Sequence, residues 1–88
     1  MPTTRQEIYA EIEAERIRQD KKWGGPEHDD QHSIRDWSRL IADHAVDVAG
    51  IWVTYETPEE LQRRKLVETA ALAVAAIESF DRKTGKTD

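Results

Sequence analysis

Apolar residues recur at helical spacing in three stretches of the chain. In the most regular stretch, 34–52, they follow one another three or four positions apart. They are Ile34, Trp37, Ile41, Ala45, Val48 and Trp52. This spacing places them on one face of an α-helix, so Trp37 and Trp52 are predicted to be core or oligomer-interface residues. With looser stripes at 8–17 and 61–80, the pattern predicts an all-α fold, a small bundle of three main helices.

Short sequence signals mark where these helices begin and end. Cap-forming side chains precede the three stripes at Thr4, Ser33 and Thr57. Thr4 and Glu7 match the S/T-x-x-E capping box, and Pro58 follows Thr57 at the first helical position. Gly24-Gly25-Pro26 ends the first helix, and Gly85 ends the third.

The length and the third helix together predict self-association. The chain has 88 residues and no cysteine, so we expect one domain spanning 1–88, frayed at 1–3 and 85–88. A core of this size is marginal by itself. The stretch Ala70–Ile77 is apolar on every side and Phe80 continues its buried face, yet only two other helices exist to cover it. We therefore predict a homo-oligomer, a dimer or a tetramer, that completes the bundle.

Charge and hydropathy exclude two classes of partner. The formal net charge is −5, from 18 acidic and 13 basic residues. A general DNA or RNA binder carries a basic excess, so nucleic acid is not expected as a partner. The longest apolar run is about a third of a membrane span, and the first residues lack the apolar stretch of a signal peptide. No membrane partner is expected, and we interpret the protein as cytoplasmic.

Asp43, Asp47 and Glu68 form the first candidate site. Asp43 and Asp47 are four residues apart on one helix face, where like charges cost about 0.2–0.5 kcal/mol. A divalent cation reverses that repulsion, because carboxylates are the ligands that Mg²⁺ and Mn²⁺ prefer. Glu68 precedes the apolar run of the third helix, close to the expected contact with the second. Alternatively, all three are solvated surface acids, paired with Arg39, Arg64 or Lys65.

The polar segment 23–32 (WGGPEHDDQH) is predicted to be a loop, and residues 27–32 within it form the second candidate site. Three acids, two histidines and a tryptophan lie within these ten residues. Histidine and aspartate side chains bind transition metals. Alternatively, His28 and Asp30 cap turns or the following helix, because consecutive loop residues seldom converge on one ion.

Basic residues and a tryptophan at the end of the first helix form the third candidate site. Arg16, Arg18, Lys21 and Lys22 are suited to phosphate groups, and Trp23 is suited to stacking on a base. Alternatively, this is an exposed charged helix whose tryptophan covers the end of the bundle. The sequence contains no P-loop, dinucleotide-binding fingerprint or serine–histidine–acid arrangement.

Three segments resemble the MazG-like all-α nucleoside triphosphate pyrophosphohydrolases, especially the short members from phage and bacterial genomes. Residues 15–24 read ERIRQDKKWG and precede His28, where the family has E-R-x-R-Q-x-x-K-W-G and then a histidine. Residues 37–47 read WSRLIADHAVD, where the family has W-x-x-I-L-x-E-E-x-x-E. Residues 66–82 read LVETAALAVAAIESFDR, where the family has L-V-x-V-A-A-x-A-V-A and a closing I-E-x-x-D-R. The resemblance covers most of the chain.

The resemblance implies cleavage of a nucleoside triphosphate to a monophosphate and pyrophosphate. It implies that Mg²⁺ or Mn²⁺ is held by Asp43, Asp47 and Glu68, with His44 as a weak ligand or as a residue that orients water. Phosphate and base contacts are implied for Arg16, Lys22, Trp23 and His28. Acids alone do not bind a triphosphate, but acids with a bridging Mg²⁺ do.

The acidic motif departs from the family pattern. E-E-x-x-E reads Asp43-His44-x-x-Asp47, and the E-x-x-D pair reads Lys65-x-x-Glu68. Imidazole is a poor Mg²⁺ ligand, and Lys65 places a positive charge where the family has an acid. Three hypotheses follow: a nucleotide-binding protein with metal-dependent pyrophosphohydrolase activity, a non-catalytic protein that sequesters a nucleotide or nucleotide-derived signal, and a structural or interaction oligomer without a ligand.

Overall fold

The computed structural model describes residues 3–49 and 58–85, which form four helices. These are α1 (Arg5–Trp23), α2 (Pro26–Asp29), α3 (Ile34–Ala49) and α4 (Glu59–Thr84). No strand occurs within the described ranges. The prediction of an all-α fold with three main helices is confirmed. Among the described residues, no helix has the length and apolar character needed to cross a bilayer.

The ends of α1 follow the signals in the sequence. The Glu7 amide donates to Thr4 Oγ1 over 3.1 Å, and the Thr4 amide donates to Glu7 Oε1 over 3.2 Å, which is the predicted capping box. The helix ends where Gly24 adopts φ 108°, and its amide donates to the Asp20 carbonyl over 2.9 Å. A side chain at this positive φ would be strained, so glycine is required for the turn that follows.

The prediction that 23–32 is entirely loop is wrong at its centre, where α2 forms one helical turn. Pro26 begins this turn, because its ring fixes φ at a helical value and its missing N–H costs no bond at that position. Glu27 and Asp29 supply negative charge in the first turn. Four residues are too few for hydrophobic periodicity to reveal a helix.

The start of α3 and its buried tryptophan agree with the sequence. Ser33 and Asp36 cap each other, with the Asp36 amide 3.1 Å from Ser33 Oγ and the Ser33 amide 2.9 Å from Asp36 Oδ2. Trp37 is only 4% exposed, which confirms it as a core residue. Trp52 and the predicted cap Thr57 lie outside the described residues, and α4 begins at Glu59 after Pro58.

Helix α4 contacts each of the other three helices. Its inner face presents small residues that are buried, namely Ala71, Ala75, Ala76 and Ser79. Trp37 packs against Ala75 and Ala76, with partly buried leucine and isoleucine side chains around this cluster. Small residues on α4 therefore allow the tryptophan of α3 to approach its backbone closely.

The opposite face of α4 is exposed. Leu66 is 57% exposed, Ile77 61% and Phe80 48%. The described helices of one chain do not cover this face of Ala70–Ile77 or Phe80, so their burial in an oligomer stays a prediction. Phe80 follows Ala75 by five residues, which places it about 140° from Ala75 around the helix at 3.6 residues per turn.

Candidate functional site

All four helices contribute to one cavity of about 440 Å³. Six acidic or basic side chains line the cavity, namely Glu15, Arg16, Arg18, Lys22, Asp29 and Glu68. Its rings are Trp23, Trp37, His28, His32 and His44, so all three histidines of the chain line it. This volume lies within the roughly 300–1,000 Å³ typical of small-molecule sites.

Six of the eight site residues proposed from the sequence line this cavity. They are Arg16, Lys22, Trp23, His28, His44 and Glu68. The other two, Asp43 and Asp47, are exposed on α3 and do not belong to its lining. The four residues that the resemblance assigns to phosphate and base contacts therefore line one cavity, whereas Asp43 and Asp47 lie outside it.

The carboxylates that the resemblance assigns to a metal do not form a cage within one chain. Glu68 lines the cavity, while Asp43 and Asp47 lie outside it. Across 3–49 and 58–85, no group of three histidine, cysteine, aspartate or glutamate side chains is arranged to hold a metal ion. Mg²⁺ in an all-protein site needs several oxygen ligands in near-octahedral geometry, and Asp43, Asp47 and Glu68 do not provide this arrangement within the part of one chain that the structure describes.

Four aromatic rings form a continuous row along the cavity. Trp23 stacks on His28 with ring centroids 6.0 Å apart and planes inclined by 19°. His28 meets His32 edge-on at 5.1 Å, and His32 meets Trp37 edge-on at 4.9 Å. The turn at Gly24 and the short α2 bring His28 back onto the last residue of α1. The exposed Trp23 offers a planar surface on which a ring of a ligand can stack.

Arg16 is the most heavily paired cation of the cavity. Its Nη1 donates to Asp20 over 3.0 Å, its Nη2 donates to Glu78 over 2.9 Å, and Asp29 lies 3.7 Å away. Burial by itself lowers the pKa of Arg16, but the hydrogen bonds to Glu78 and Asp20 outweigh it, so the pKa is raised. Arg16 therefore joins α1 to α4 and has little capacity left for a phosphate.

Burial also acts on Asp29, the carboxylate nearest to Arg16 on α2. Desolvation raises the pKa of Asp29 above its ordinary value and exceeds the opposing attraction of Arg16. Asp29 thus holds its charge less readily than an exposed aspartate.

Arg18 and Lys22 differ in how strongly they are engaged. Arg18 Nη2 lies 2.6 Å from Glu15, and this hydrogen bond lowers the pKa of Glu15 despite its partial burial. Lys22 Nζ lies 4.9 Å from the Trp23 ring centroid, and none of the described carboxylates pairs with it. Lys22 is therefore the cavity cation most accessible to an anionic ligand.

Two lining residues missed at the sequence level carry buried polar atoms without partners. Trp37 Nε1 and Gln19 Oε1 are buried, and neither has a hydrogen-bond partner among the described residues. Gln19 Nε2 donates to Glu15 Oε2 over 3.3 Å, which fixes the orientation of the amide because a carboxylate only accepts. The i, i+3, i+4 spacing of Glu15, Arg18 and Gln19 is a signal that could have placed Gln19 on this face. Nothing local predicts His32, since its place depends on tertiary contacts.

His44 is held in one orientation by its own helix. Its Nδ1 lies 2.9 Å from the Leu40 carbonyl oxygen. Since a carbonyl oxygen can only accept, this contact assigns a proton to Nδ1. In the neutral ring, Nε2 is then the acceptor.

No protein-family model, curated protein or solved structure matches the chain. Function is therefore inferred from the cavity and its side chains.

Proposed function

We propose that this chain is a MazG-like nucleotide-binding protein of the cytoplasm and that the cavity is its binding site. One observation carries the proposal. The residues associated with phosphate and base from the sequence, Arg16, Lys22, Trp23 and His28, come from two helices and line one cavity. Arg16 also joins α1 to α4, so Lys22 and the exposed Trp23 ring are the features that favour a ligand site over a purely structural oligomer.

The lining suits a ligand with an aromatic ring and a phosphate group. The ring stacks on Trp23 and His28, an interaction of about 1–3 kcal/mol per base. Lys22 contacts the phosphate, and Arg18 reaches it on releasing Glu15.

The charge of the cavity favours a divalent cation that arrives with the nucleotide. Three cationic and three acidic side chains line it, so they balance when all are ionised, whereas the whole chain carries −5. A triphosphate adds several negative charges to this neutral site. Mg²⁺ or Mn²⁺ bound to the phosphates reduces that repulsion, as it does in sites that hold the ion through one or two carboxylates and the substrate.

Pyrophosphohydrolysis is the second candidate function. It is favoured by Asp43 and Asp47, which lie one turn apart and exposed on the helix that also carries His44 into the cavity. With Glu68 they would hold the metal, which polarises phosphate oxygens when bound. One chain does not gather these three carboxylates, so binding without turnover, as in sequestration, is the first candidate.

Two assays on the purified chain separate these functions. A nucleotide that binds only the folded state raises the thermal midpoint, so a panel of ribo- and deoxynucleotides is screened with and without Mg²⁺ or Mn²⁺. The protein is then incubated with the binding nucleotides and the mixture is separated by chromatography. Intact nucleotide indicates sequestration, and monophosphate with pyrophosphate indicates hydrolysis. No midpoint change with any nucleotide rules out the binding proposal.

A further inference from the structure

A second cavity lies beside the first, the cavity proposed as the nucleotide site, and shares an ion pair with it. It has a volume of about 410 Å³ and lies between α1 and the first half of α4. Six charged side chains line it, namely Glu11, Glu15, Glu60, Arg18, Arg63 and Arg64. Glu15 and Arg18 also line the first cavity, so their ion pair lies where the two cavities meet.

The three arginines of the second cavity are engaged to different degrees. Arg63 joins α4 to α1 through two hydrogen bonds to Glu11, over 2.6 and 2.7 Å. Arg18 makes a similar two-oxygen contact with Glu15, over 2.6 and 2.8 Å. The hydrogen bond from Arg18 lowers the pKa of Glu15, and the nearby charge of Arg64 adds to this effect. Arg64 itself makes no ion pair within 3–49 and 58–85, so it is the cation of the second cavity most accessible to an anion.

The contact between Glu15 and Arg18 is one that a phosphate group can replace. The Arg18 side chain is 57% exposed, and an ion pair in contact with water contributes little stability. The planar guanidinium that binds both oxygens of a carboxylate binds two oxygens of a phosphate in the same way, and the phosphate carries more negative charge. The displaced Glu15 carboxylate keeps the hydrogen bond from Gln19 Nε2, which measures 3.3 Å, so it is not left without a donor.

We propose that the second cavity is a subsite for phosphate groups beyond the first, which enter it by replacing Glu15 on Arg18. The inference rests on the proposed function, in which Lys22 contacts the first phosphate beside the stacked ring. A single phosphate ends at Lys22 and leaves the Glu15–Arg18 pair closed. A longer phosphate chain passes this pair, because Arg18 lines both cavities, and ends at Arg64. Glu15 thereby sets the preference of the site between one phosphate group and several.

Titration with the mono- and triphosphate of one nucleoside, the one that binds best in the thermal screen, tests the subsite. Divalent metal is left out, and the salt is about 0.15 M, where charges more than about 8 Å apart are largely screened. Arg64→Gln removes the subsite cation, and Arg35→Gln is the control, an exposed arginine of α3 that lines neither cavity. We expect Arg64→Gln to raise the Kd of the triphosphate about tenfold and to leave that of the monophosphate nearly unchanged, while Arg35→Gln changes neither.

The two nucleotides separate failure of the subsite from failure of the proposed function. If the unmodified chain binds a nucleotide but Arg64→Gln weakens both forms equally, or weakens neither, the subsite is overturned and nucleotide binding stands. If the unmodified chain binds neither form, with or without metal, the proposed function fails and the subsite fails with it.

A double-mutant cycle tests whether Glu15 acts through Arg18. Glu15→Gln keeps the shape of the side chain but releases Arg18, so the Kd of the triphosphate is expected to fall about two- to fivefold while that of the monophosphate changes little. In the Arg18→Gln background the same change should give a smaller gain, because there is no guanidinium to release. Circular dichroism checks that each variant keeps its helical content. A gain as large in the Arg18→Gln background, or no gain in the unmodified one, overturns the role of Glu15.

Discussion

Arg82 near the end of α4 holds Asp30, the residue that caps α2, across 52 positions of sequence. Its Nη2 donates to Asp30 Oδ1 over 2.8 Å, and its Nε donates to the same oxygen over 3.1 Å. Ser79 Oγ donates to Asp30 Oδ1 as well, over 2.8 Å. These bonds attach α2 to α4, and α2 carries His28 into the cavity. The pair is therefore structural, and it also positions one of the rings of the candidate site.

Protonation of the adjacent residues Asp29 and Asp30 is expected to change the stability of the folded state in opposite directions. Hydrogen bonds from Arg82 and Ser79 lower the pKa of Asp30 below its ordinary value of 3.8, so its stabilising effect is present above that value and is lost as the pH falls through the lowered pKa. Burial raises the pKa of Asp29, so the folded state gains stability relative to the unfolded state as the pH falls through that raised value.

Urea unfolding of Asp30→Asn and Asp29→Asn tests the lowered pKa of Asp30 and the raised pKa of Asp29. At pH 7 we expect Asp30→Asn to lower the free energy of unfolding and Asp29→Asn to lower it less or to raise it. The deficit of Asp30→Asn should shrink as the pH falls below about 4, where the unfolded aspartate takes up its proton. Equal deficits for the two variants at pH 7 would contradict the assigned environments.

The capping box at the start of α1 contributes measurably to stability. Replacing Thr4 with alanine removes the acceptor for the Glu7 amide and is expected to lower the free energy of unfolding by about 1 kcal/mol. Thr3→Ala, one residue earlier, is the control and is expected to change it little. Chemical denaturation measures both, and a neutral Thr4→Ala would show that the cap is frayed in solution.

Local signals explain why the three main helices were predictable and the site was only partly so. The capping pairs Thr4–Glu7 and Ser33–Asp36 act within four residues and are visible in the sequence. Gathering Lys22, Trp23, His28 and His44 in one cavity depends on how α1 and α3 cross α4, which no local pattern specifies. The sequence predicted that these residues contact a nucleotide or its metal, but it did not predict that they line the same cavity.

The missed features are those that depend on distant contacts. His32 lacks a motif of its own, and only the folded chain brings it against Trp37. Gln19 belongs to the segment that resembles the family, but its place in the cavity depends on how the helices pack. Phe80 is exposed in the single chain because α4 is apolar on both sides and the other helices cover only one of them. Periodicity identifies an apolar face but does not say whether the same chain covers it.

Trp23 is expected to provide the stacking surface for the ligand ring. Trp23→Ala removes this surface and should weaken nucleotide binding by about 1–3 kcal/mol, which is roughly a five- to 150-fold rise in Kd. Tyr9→Ala is the matched control, because both side chains belong to α1 and both are 55% exposed. Fluorescence or calorimetric titration measures both variants, and equal affinities would exclude Trp23 from the site.

Asp47 tests the proposed role of a divalent cation. Asp47 lies outside the cavity lining, so it contacts the metal on the nucleotide only where pyrophosphohydrolysis is the function. In that case Asp47→Ala abolishes the increase in affinity that Mg²⁺ or Mn²⁺ produces and leaves metal-free binding in place. Glu13→Ala, an exposed acid of α1 outside the cavity lining, is the control and should retain the increase. A metal response that Asp47→Ala leaves unchanged would remove this residue from the metal site.

The most direct test of nucleotide binding in this cavity is calorimetric titration of the unmodified chain, Lys22→Ala and Lys21→Ala with the best nucleotide from the thermal screen. Lys22 lines the cavity and Lys21, its neighbour in sequence, does not. A charge-assisted hydrogen bond contributes about 1.5–3 kcal/mol, so Lys22→Ala should raise Kd about ten- to hundredfold while Lys21→Ala leaves it nearly unchanged. Equal affinities for the two variants, or no nucleotide binding by the unmodified chain with or without divalent metal, would contradict the account.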